Sequence, residues 1–199
     1  MRIAAGTLLL AIACGAAAVD LESVVRRSFG SASPEQWRDR LEQDEVQAAC
    51  SKYRNQPPPE VAMRILESQG ATVRHPEDGR LMGDWREGAK LAAIGTGGHI
   101  GLIQPDPPDR RRGGNCYACH ALAPEEVSAG TLGPSLTGYG KRRGNSPEVV
   151  AQTYRKIYNA QAYFPCSSMP RFGHHGWLTP RQIADAVAFL LDPESPVNR

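Results

Sequence analysis

The chain has 199 residues, of which 41% are hydrophobic and 22% are charged. Its 23 Lys and Arg residues nearly balance its 21 Asp and Glu residues, which leaves a formal net charge of +2. This balance argues against a nucleic-acid-binding protein, because no basic face dominates the chain. The length suits one domain with its own core, or a small domain with an extension.

Residues 1–18 have the pattern of a secretory signal peptide. Arg2 gives a positive start, an apolar run follows at residues 7–13, and three alanines at 16–18 offer a cleavage site. The run is too short to span a bilayer, and no later segment is long and apolar enough to do so. We therefore predict a periplasmic protein, exported with its signal peptide cleaved, and with no membrane span.

Cys14 supports a second interpretation of the same segment. It follows Ala11-Ile12-Ala13, so it could be the lipid-modified first residue of a lipoprotein, although Ala stands three residues before it where Leu is usual. The sequence leaves this alternative open.

Residues 19–82 are predicted to form a helical N-terminal extension. The first helix begins at the capping box of residues 33–36 and continues to about Tyr53, and Pro57 to Pro59 end it. A second helix covers residues 60–69 and stops at Gly70. Residues 83–199 form the second predicted domain, which opens with a short amphipathic helix at residues 84–94.

The most specific motif is Cys116-Tyr117-Ala118-Cys119-His120. The pattern C-x-x-C-H attaches c-type haem, since two thiols bond to the porphyrin and the next His can bind the iron. A zinc half-site and a redox-active C-x-x-C pair are the alternatives. Zinc needs a second ligand pair with suitable spacing, and a thioredoxin-like pair needs a βαβ context, neither of which the sequence shows.

Two further helices follow this motif. The first covers residues 147–158 with Ser146 as its cap, and the last begins at a capping box of Thr179 and Gln182. Ile183, Val187 and Leu190 recur at helical spacing in the last helix. Strand signals are nearly absent, so the predicted fold class is all-α.

A haem iron with one His needs a sixth ligand or an open face. Met169 is the first candidate, because it lies in an irregular segment and is followed by Pro170, which holds the chain extended. The adjacent pair His174 and His175 is the alternative. If Met169 binds, both axial positions are filled and the chemistry is one-electron transfer.

Cys50 and Cys166 are left over once Cys14 is assigned to the signal and two cysteines to haem. Two cysteines remain, and in an oxidising compartment an even number of cysteines favours a disulfide between them. Two buried free thiols are the alternative.

The order of these features resembles class I cytochrome c. More narrowly, the chain resembles SoxX, the monohaem cytochrome subunit of the SoxAX complexes of thiosulfate oxidation. The resemblance covers roughly residues 83–192, and its most specific segment is Pro165-Cys166-Ser167-Ser168-Met169-Pro170-Arg171-Phe172-Gly173. The other stretches that carry it are residues 83–88, 114–120, 133–140 and the residues from Tyr158 to the specific segment.

The resemblance implies one haem c, bound covalently to Cys116 and Cys119, with His120 and Met169 as iron ligands and the Pro134 carbonyl accepting the proton of the His120 ring. It also implies a heterodimer with a SoxA-like cytochrome subunit of one or two haems, which carries out the catalysis. Such an enzyme, an L-cysteine S-thiosulfotransferase, joins thiosulfate to a cysteine of a SoxYZ-like carrier. The SoxX-like haem takes the electrons and passes them to a soluble cytochrome c, so this chain has no catalytic residue of its own.

Two other functions remain as alternatives. One is a free-standing periplasmic electron shuttle without a catalytic partner. The other is a gas-binding haem protein with an open sixth site, which requires that Met169 does not bind. The SoxX resemblance does not explain the extension at residues 19–82, which could either wrap the haem domain or widen a contact with the partner.

Overall fold

A computed structural model of the chain describes residues 19–95, 109 and 111–199. The predicted signal peptide and Cys14 lie outside the described residues. Within the described part the chain is helical and has no strand. The predicted all-α class is therefore confirmed. No helix in these ranges is long and apolar enough to cross a membrane.

Eight α-helices are present in the described ranges. They are α1 Leu21–Ser28, α2 Pro34–Arg40, α3 Glu45–Lys52, α4 Pro59–Gly70, α5 Trp85–Ala93, α6 Tyr139–Arg143, α7 Pro147–Tyr158 and α8 Pro180–Leu191. Short 3-10 turns occur at Cys116–Ala118, Ala160–Ala162 and Pro196–Asn198.

The main hydrophobic core lies where α5 and α7 pack against α8. Its fully buried side chains include Leu122, Tyr154, Ile183 and Val187. Helix α5 can approach α8 closely because Gly88 faces the backbone of Asp185, where a Cβ would overlap the carbonyl group. This crossing fixes α5, the helix that precedes the C-x-x-C-H segment, against the last helix of the chain.

A second, smaller core joins the N-terminal extension to the C-terminal part of the chain. Val46, Val61 and Ile65 of the extension are buried together with Cys50 and Cys166. Helix α4 also packs against the turn at Ala160–Ala162. Helices α3 and α4 of the extension therefore pack against the part of the chain that follows.

The helices predicted at residues 60–69, 84–94 and 147–158 are confirmed as α4, α5 and α7, and the last predicted helix as α8. The single helix predicted from residue 34 to about Tyr53 is wrong, because α2 ends at Arg40 and α3 begins at Glu45. Asp44 and Gln47 form a second capping box, in which each side chain accepts from the other's backbone N–H at 2.8 and 2.9 Å. A helix start is thereby stabilised inside the predicted helix.

Candidate functional site

The Cys116–His120 segment forms one tight helical turn. The backbone N–H groups of Cys119 and His120 both donate to the Cys116 carbonyl, at 3.1 and 2.9 Å. In a 3-10 turn residues three apart lie above one another, so the two cysteines share a side of the turn. Both thiols are free and half-buried. The arrangement presents two sulfur atoms and one imidazole from a single short segment.

Two neighbouring segments hold this turn in place. Gly114 N–H donates to the Leu91 carbonyl at 2.8 Å, which attaches the turn to the end of α5. On the other side, Gly130 and Gly133 donate to the carbonyls of Tyr117 and Cys119, at 2.9 and 2.8 Å. The turn is therefore supported by backbone hydrogen bonds before and after it.

The His120 ring is fixed by the Pro134 carbonyl, whose oxygen lies 2.7 Å from Nδ1. A carbonyl oxygen can only accept, so Nδ1 carries the proton and Nε2 keeps its lone pair. A second hydrogen bond of this kind orients metal-binding histidines and strengthens them as ligands. The tautomer and orientation of His120 thus suit binding to haem iron through Nε2.

The pKa of the Cys116 thiol is shifted in the direction opposite to that of a redox-active cysteine. Burial raises its pKa to about 11, and the nearby Cys119 adds to the increase. Redox-active C-x-x-C pairs instead have a thiol with a lowered pKa. The observed environment favours haem attachment over the redox alternative.

Met169 lies in the irregular segment between the turn at Ala160–Ala162 and α8. Its backbone N–H donates to Ser167 Oγ at 3.2 Å, and its partly buried side chain packs against the main core. Cys116 and Tyr117 pack against the same core. The Cys116–His120 turn and the candidate ligand loop therefore border one hydrophobic interior.

The alternative ligands His174 and His175 stand edge to face, with ring centroids 4.8 Å apart. Burial lowers the pKa of both, and the Arg171 guanidinium lowers it further, to about 4 for His175. Both rings are therefore uncharged at neutral pH, which a metal ligand requires. His175 is exposed and lines a cavity beside the Met169 loop.

Cys50 and Cys166 are joined by a disulfide, with Cα atoms 5.3 Å apart. The bond links α3 to a position three residues before Met169. Cys166 adopts a left-handed backbone with φ of 60°, which is uncommon outside glycine. A cavity of about 470 Å³ lies beside the disulfide and is lined in part by Met169 and Arg171.

A buried polar network surrounds the same loop, and its members did not stand out in the sequence. Arg171 is only 6% exposed and pairs with the Asp44 carboxylate and with Gln69 Oε1, the latter at 3.2 Å. Gln69 Oε1 also accepts from Asn159 at 3.0 Å. These partners are about 90 to 127 residues apart in the sequence. No local pattern could have revealed them.

The chain is similar to a protein family, to a related protein and to a solved structure. Residues 113–192 match the family model described as cytochrome c, which spans both the Cys116–His120 turn and the Met169 loop. An uncharacterized lipoprotein of Aquifex aeolicus (strain VF5) is 44% identical over 158 residues, which cover 79% of this chain and 73% of that protein. The chain is also similar to one chain in the crystal structure of SoxXA from P. pantotrophus. The two sequences are 27% identical, the TM-score is 0.39, and the similarity covers 56% of this chain and 82% of that chain.

Proposed function

Because the chain belongs to the same family as the Aquifex aeolicus lipoprotein and contains a cytochrome c domain, we propose that it binds one haem c through Cys116 and Cys119. His120 and Met169 are the proposed axial ligands of the iron. Electron transfer is the function that the cytochrome c match supports. When bound, haem c supplies a reversible one-electron change at its iron.

The observation that carries this proposal is the contact between His120 Nδ1 and the Pro134 carbonyl, at 2.7 Å. In the neutral ring it leaves Nε2 unprotonated, and it fixes the orientation of the ring against the loop at Gly133 and Pro134. The adjacent thiols lie on the same turn, and burial raises the pKa of the Cys116 thiol to about 11. This is the set of groups that covalent haem attachment needs.

Met169 closes the second axial position in this proposal. A thioether ligand leaves no site at which a substrate could reach the metal, and it raises the reduction potential relative to a second His. The neighbouring Phe172 is buried in the main core. These residues favour outer-sphere electron transfer over catalysis at the iron.

We further propose that the protein is the electron-accepting subunit of a SoxAX-type enzyme. The support is the sequence resemblance to SoxX, above all the segment around Cys166 and Met169. The partner would be a SoxA-like cytochrome, which joins the sulfane end of thiosulfate to a cysteine thiol of a SoxYZ-like carrier. That bond formation releases two electrons, and this chain passes them singly to a soluble cytochrome c.

Exposed apolar side chains near the proposed haem site support docking to a partner. Phe164 is 64% exposed and lies two residues before Cys166. Leu132 is 88% exposed, in the loop that hydrogen-bonds to the haem-attachment turn. The aromatic residues Trp85, Phe172 and Trp177 pack against the main core instead. Isolated exposed apolar residues are ordinary, but two beside one redox site suit an interface.

We also propose that the protein is an exported lipoprotein. Its relative is named a lipoprotein, and Cys14 stands at the end of a signal-like segment. In this proposal the signal peptide is cleaved immediately before Cys14, earlier than the alanines at 16–18 suggest.

The ligand assignment is tested with carbon monoxide. We expect the reduced, haem-loaded protein not to bind carbon monoxide at neutral pH, because both axial positions are filled. The Met169→Ala protein should become five-coordinate and bind it, while Met63→Ala should match the wild type, since Met63 is an exposed residue of α4. An unchanged absorption spectrum in Met169→Ala would show that another residue binds the iron.

The partner assignment is tested by purifying the protein with the proteins of its native periplasm. A one-to-one complex with a second c-type cytochrome, and thiosulfate-dependent reduction of a soluble cytochrome c, are expected. Phe164→Ser should weaken the complex without changing the spectrum, whereas Met63→Ser, at a residue of nearly equal exposure, should not. A lone monohaem protein would favour the free-standing shuttle.

A further inference from the structure

The loop that carries Met169 has little internal support. It has no regular secondary structure between the turn at Ala160–Ala162 and α8. Pro170 has no N–H to donate, and the cavity of about 470 Å³ leaves one side of the loop without packing. Although Met169 packs against the main core, a loop with one unpacked side opens more easily unless other elements hold it. The position of Met169 therefore depends on contacts from outside the loop.

Those contacts come from residues 44–70, which we call the clamp segment. Its Cys50 is bonded to Cys166, three residues before Met169. Its Asp44 and Gln69 both contact the Arg171 guanidinium, two residues after Met169. The clamp segment thus holds the loop on both sides of Met169. Before Met169 the contact is the disulfide, and after it the contact is with the buried guanidinium of Arg171.

The same network reaches the start of the loop. Gln69 accepts from the buried Asn159, whose Oδ1 accepts from the Gln161 backbone N–H at 3.1 Å. Gln161 Oε1 in turn accepts from Cys166 N–H at 2.5 Å, and its Nε2 donates to the Ser167 carbonyl at 3.2 Å. The polar groups of Gln69 and Gln161 therefore connect α4 to the backbone beside the disulfide.

Asp44 is well suited to hold Arg171. Although partial burial acts to raise its pKa, hydrogen bonds from the Gln47 backbone N–H and from Arg171 lower it on balance. The carboxylate is therefore charged at neutral pH. Arg171 is buried whereas Asp44 is partly exposed, so loss of the Asp44 charge would leave a buried guanidinium without its counter-charge.

We propose that the clamp segment positions the distal iron ligand, with Asp44, Cys50 and Gln69 as positioning residues for Met169. This inference rests on the proposed ligation by Met169 and explains the purpose of the N-terminal extension. Without the clamp, the loop would move away from the iron more often, and the sixth position would become open to external ligands.

The test uses two variants of the full-length, haem-loaded protein. Asp44→Asn removes the charge that faces Arg171, and Cys50→Ala/Cys166→Ala removes the covalent link. Asp78→Asn is the matched control, because Asp78 has a similarly exposed side chain, 43% against 40%, and an ion pair with Arg181 at 3.0 Å away from the loop. The readouts are the absorption band of the methionine–ferric iron bond and the rate of carbon monoxide binding to reduced protein.

We expect both test variants to lose the methionine–iron band at a lower temperature than wild type and to bind carbon monoxide about tenfold faster or more. Haem content and circular dichroism at low temperature should stay unchanged. Hydrogen exchange at the amides of Gly173, Trp177 and Leu178 should quicken in the test variants. Asp78→Asn should behave as wild type in each measurement.

Two outcomes separate the failure of this inference from the failure of the proposed function. If wild type shows the methionine–iron band and the test variants match Asp78→Asn, the clamp does not position Met169, although the ligation stands. If wild type shows no such band, ligation by Met169 is wrong and the positioning role is lost with it. Faster hydrogen exchange with an unmoved band also overturns the inference, because the loop would then loosen without affecting the ligand.

Discussion

Gly133 leaves just enough room for the His120 ring. A Cβ at this position would overlap the Cε1 and Nδ1 atoms of the imidazole. The same ring is held on one side by the Pro134 carbonyl. The ring cannot yield to a new methyl group without losing that hydrogen bond, and the hydrogen bond is what sets the tautomer for iron binding.

We therefore predict that Gly133→Ala lowers the amount of haem-loaded protein and shifts the reduction potential of what remains. Haem content and potential, measured on the purified protein, test this. Gly30→Ala is the control, since a Cβ there meets only ordinary contacts, the nearest at 3.6 Å. Equal haem content and potential in the two variants would show that the His120 ring is not confined as the structure indicates.

The C-x-x-C-H motif could be singled out because its residues are adjacent in the sequence and follow a specific spacing. Met169 was a candidate for a similar reason, since its Pro-bounded surroundings are local. Asp44 and Gln69 carried no such signal. Their roles come from contacts with Arg171 across 127 and 102 residues of sequence, which only the fold brings together.

Among the helices, the crossing of α5 and α8 depends on one small residue. Gly88 faces the Asp185 carbonyl and Phe189 Cβ, so a methyl group there requires the helices to separate. Alanine gains about 1 kcal/mol over glycine in helix propensity. Overpacking typically costs about 1–3 kcal/mol, and here the obstacle is backbone, which cannot rotate away.

We accordingly predict that Gly88→Ala lowers the free energy of unfolding by about 1–2 kcal/mol. Denaturant unfolding of the haem-loaded protein measures the change. Lys90→Ala on the same helix removes only an exposed ion pair with Glu87 and should stay within about 0.5 kcal/mol of wild type. If Gly88→Ala were more stable than wild type, the gain in helix propensity would outweigh the cost of crowding the Asp185 backbone.

Helix existence was easier to predict than helix boundaries. The periodic patterns of α7 and α8 coincide with clear caps, Ser146 and Thr179, so sequence and structure agree. The break between α2 and α3 was missed because Asp44 can be read either as a helical surface residue or as a cap. The contact with Arg171 favours Asp44 as the N-cap of α3, because it holds the Asp44 side chain away from the position that a continuous helix would give it.

On the scale of the whole molecule, the N-terminal extension is not independent of the cytochrome c domain. Its small core includes Cys166, and its polar side chains reach Arg171 and Asn159. The sequence predicted where the extension lies but left its purpose open. Chain composition alone could not show that a segment outside the residues of the family match contacts the proposed ligand loop.

The start of the described chain has an exposed, amphipathic helix. Helix α1 has no buried residue, and Val19 and Leu21 are 70% and 73% exposed. Its last turn carries Arg26 and Arg27. An exposed apolar start followed by basic residues suits the surface of a membrane better than bulk water. None of the helices in the described ranges is long and apolar enough to span a bilayer.

We predict that the mature protein begins at a lipid-modified Cys14, five residues before Val19. It should partition into the detergent phase, and its intact mass should exceed that of the chain from Cys14 by the mass of the acyl groups. Cys14→Ser should be recovered without lipid in the aqueous phase, with unchanged haem absorption, because the cytochrome c domain lies far along the chain. A wild-type protein that begins after Ala18 and carries no lipid would contradict the anchor and support the later cleavage site. The apolar residues of α1 would then be left to face water or a protein partner.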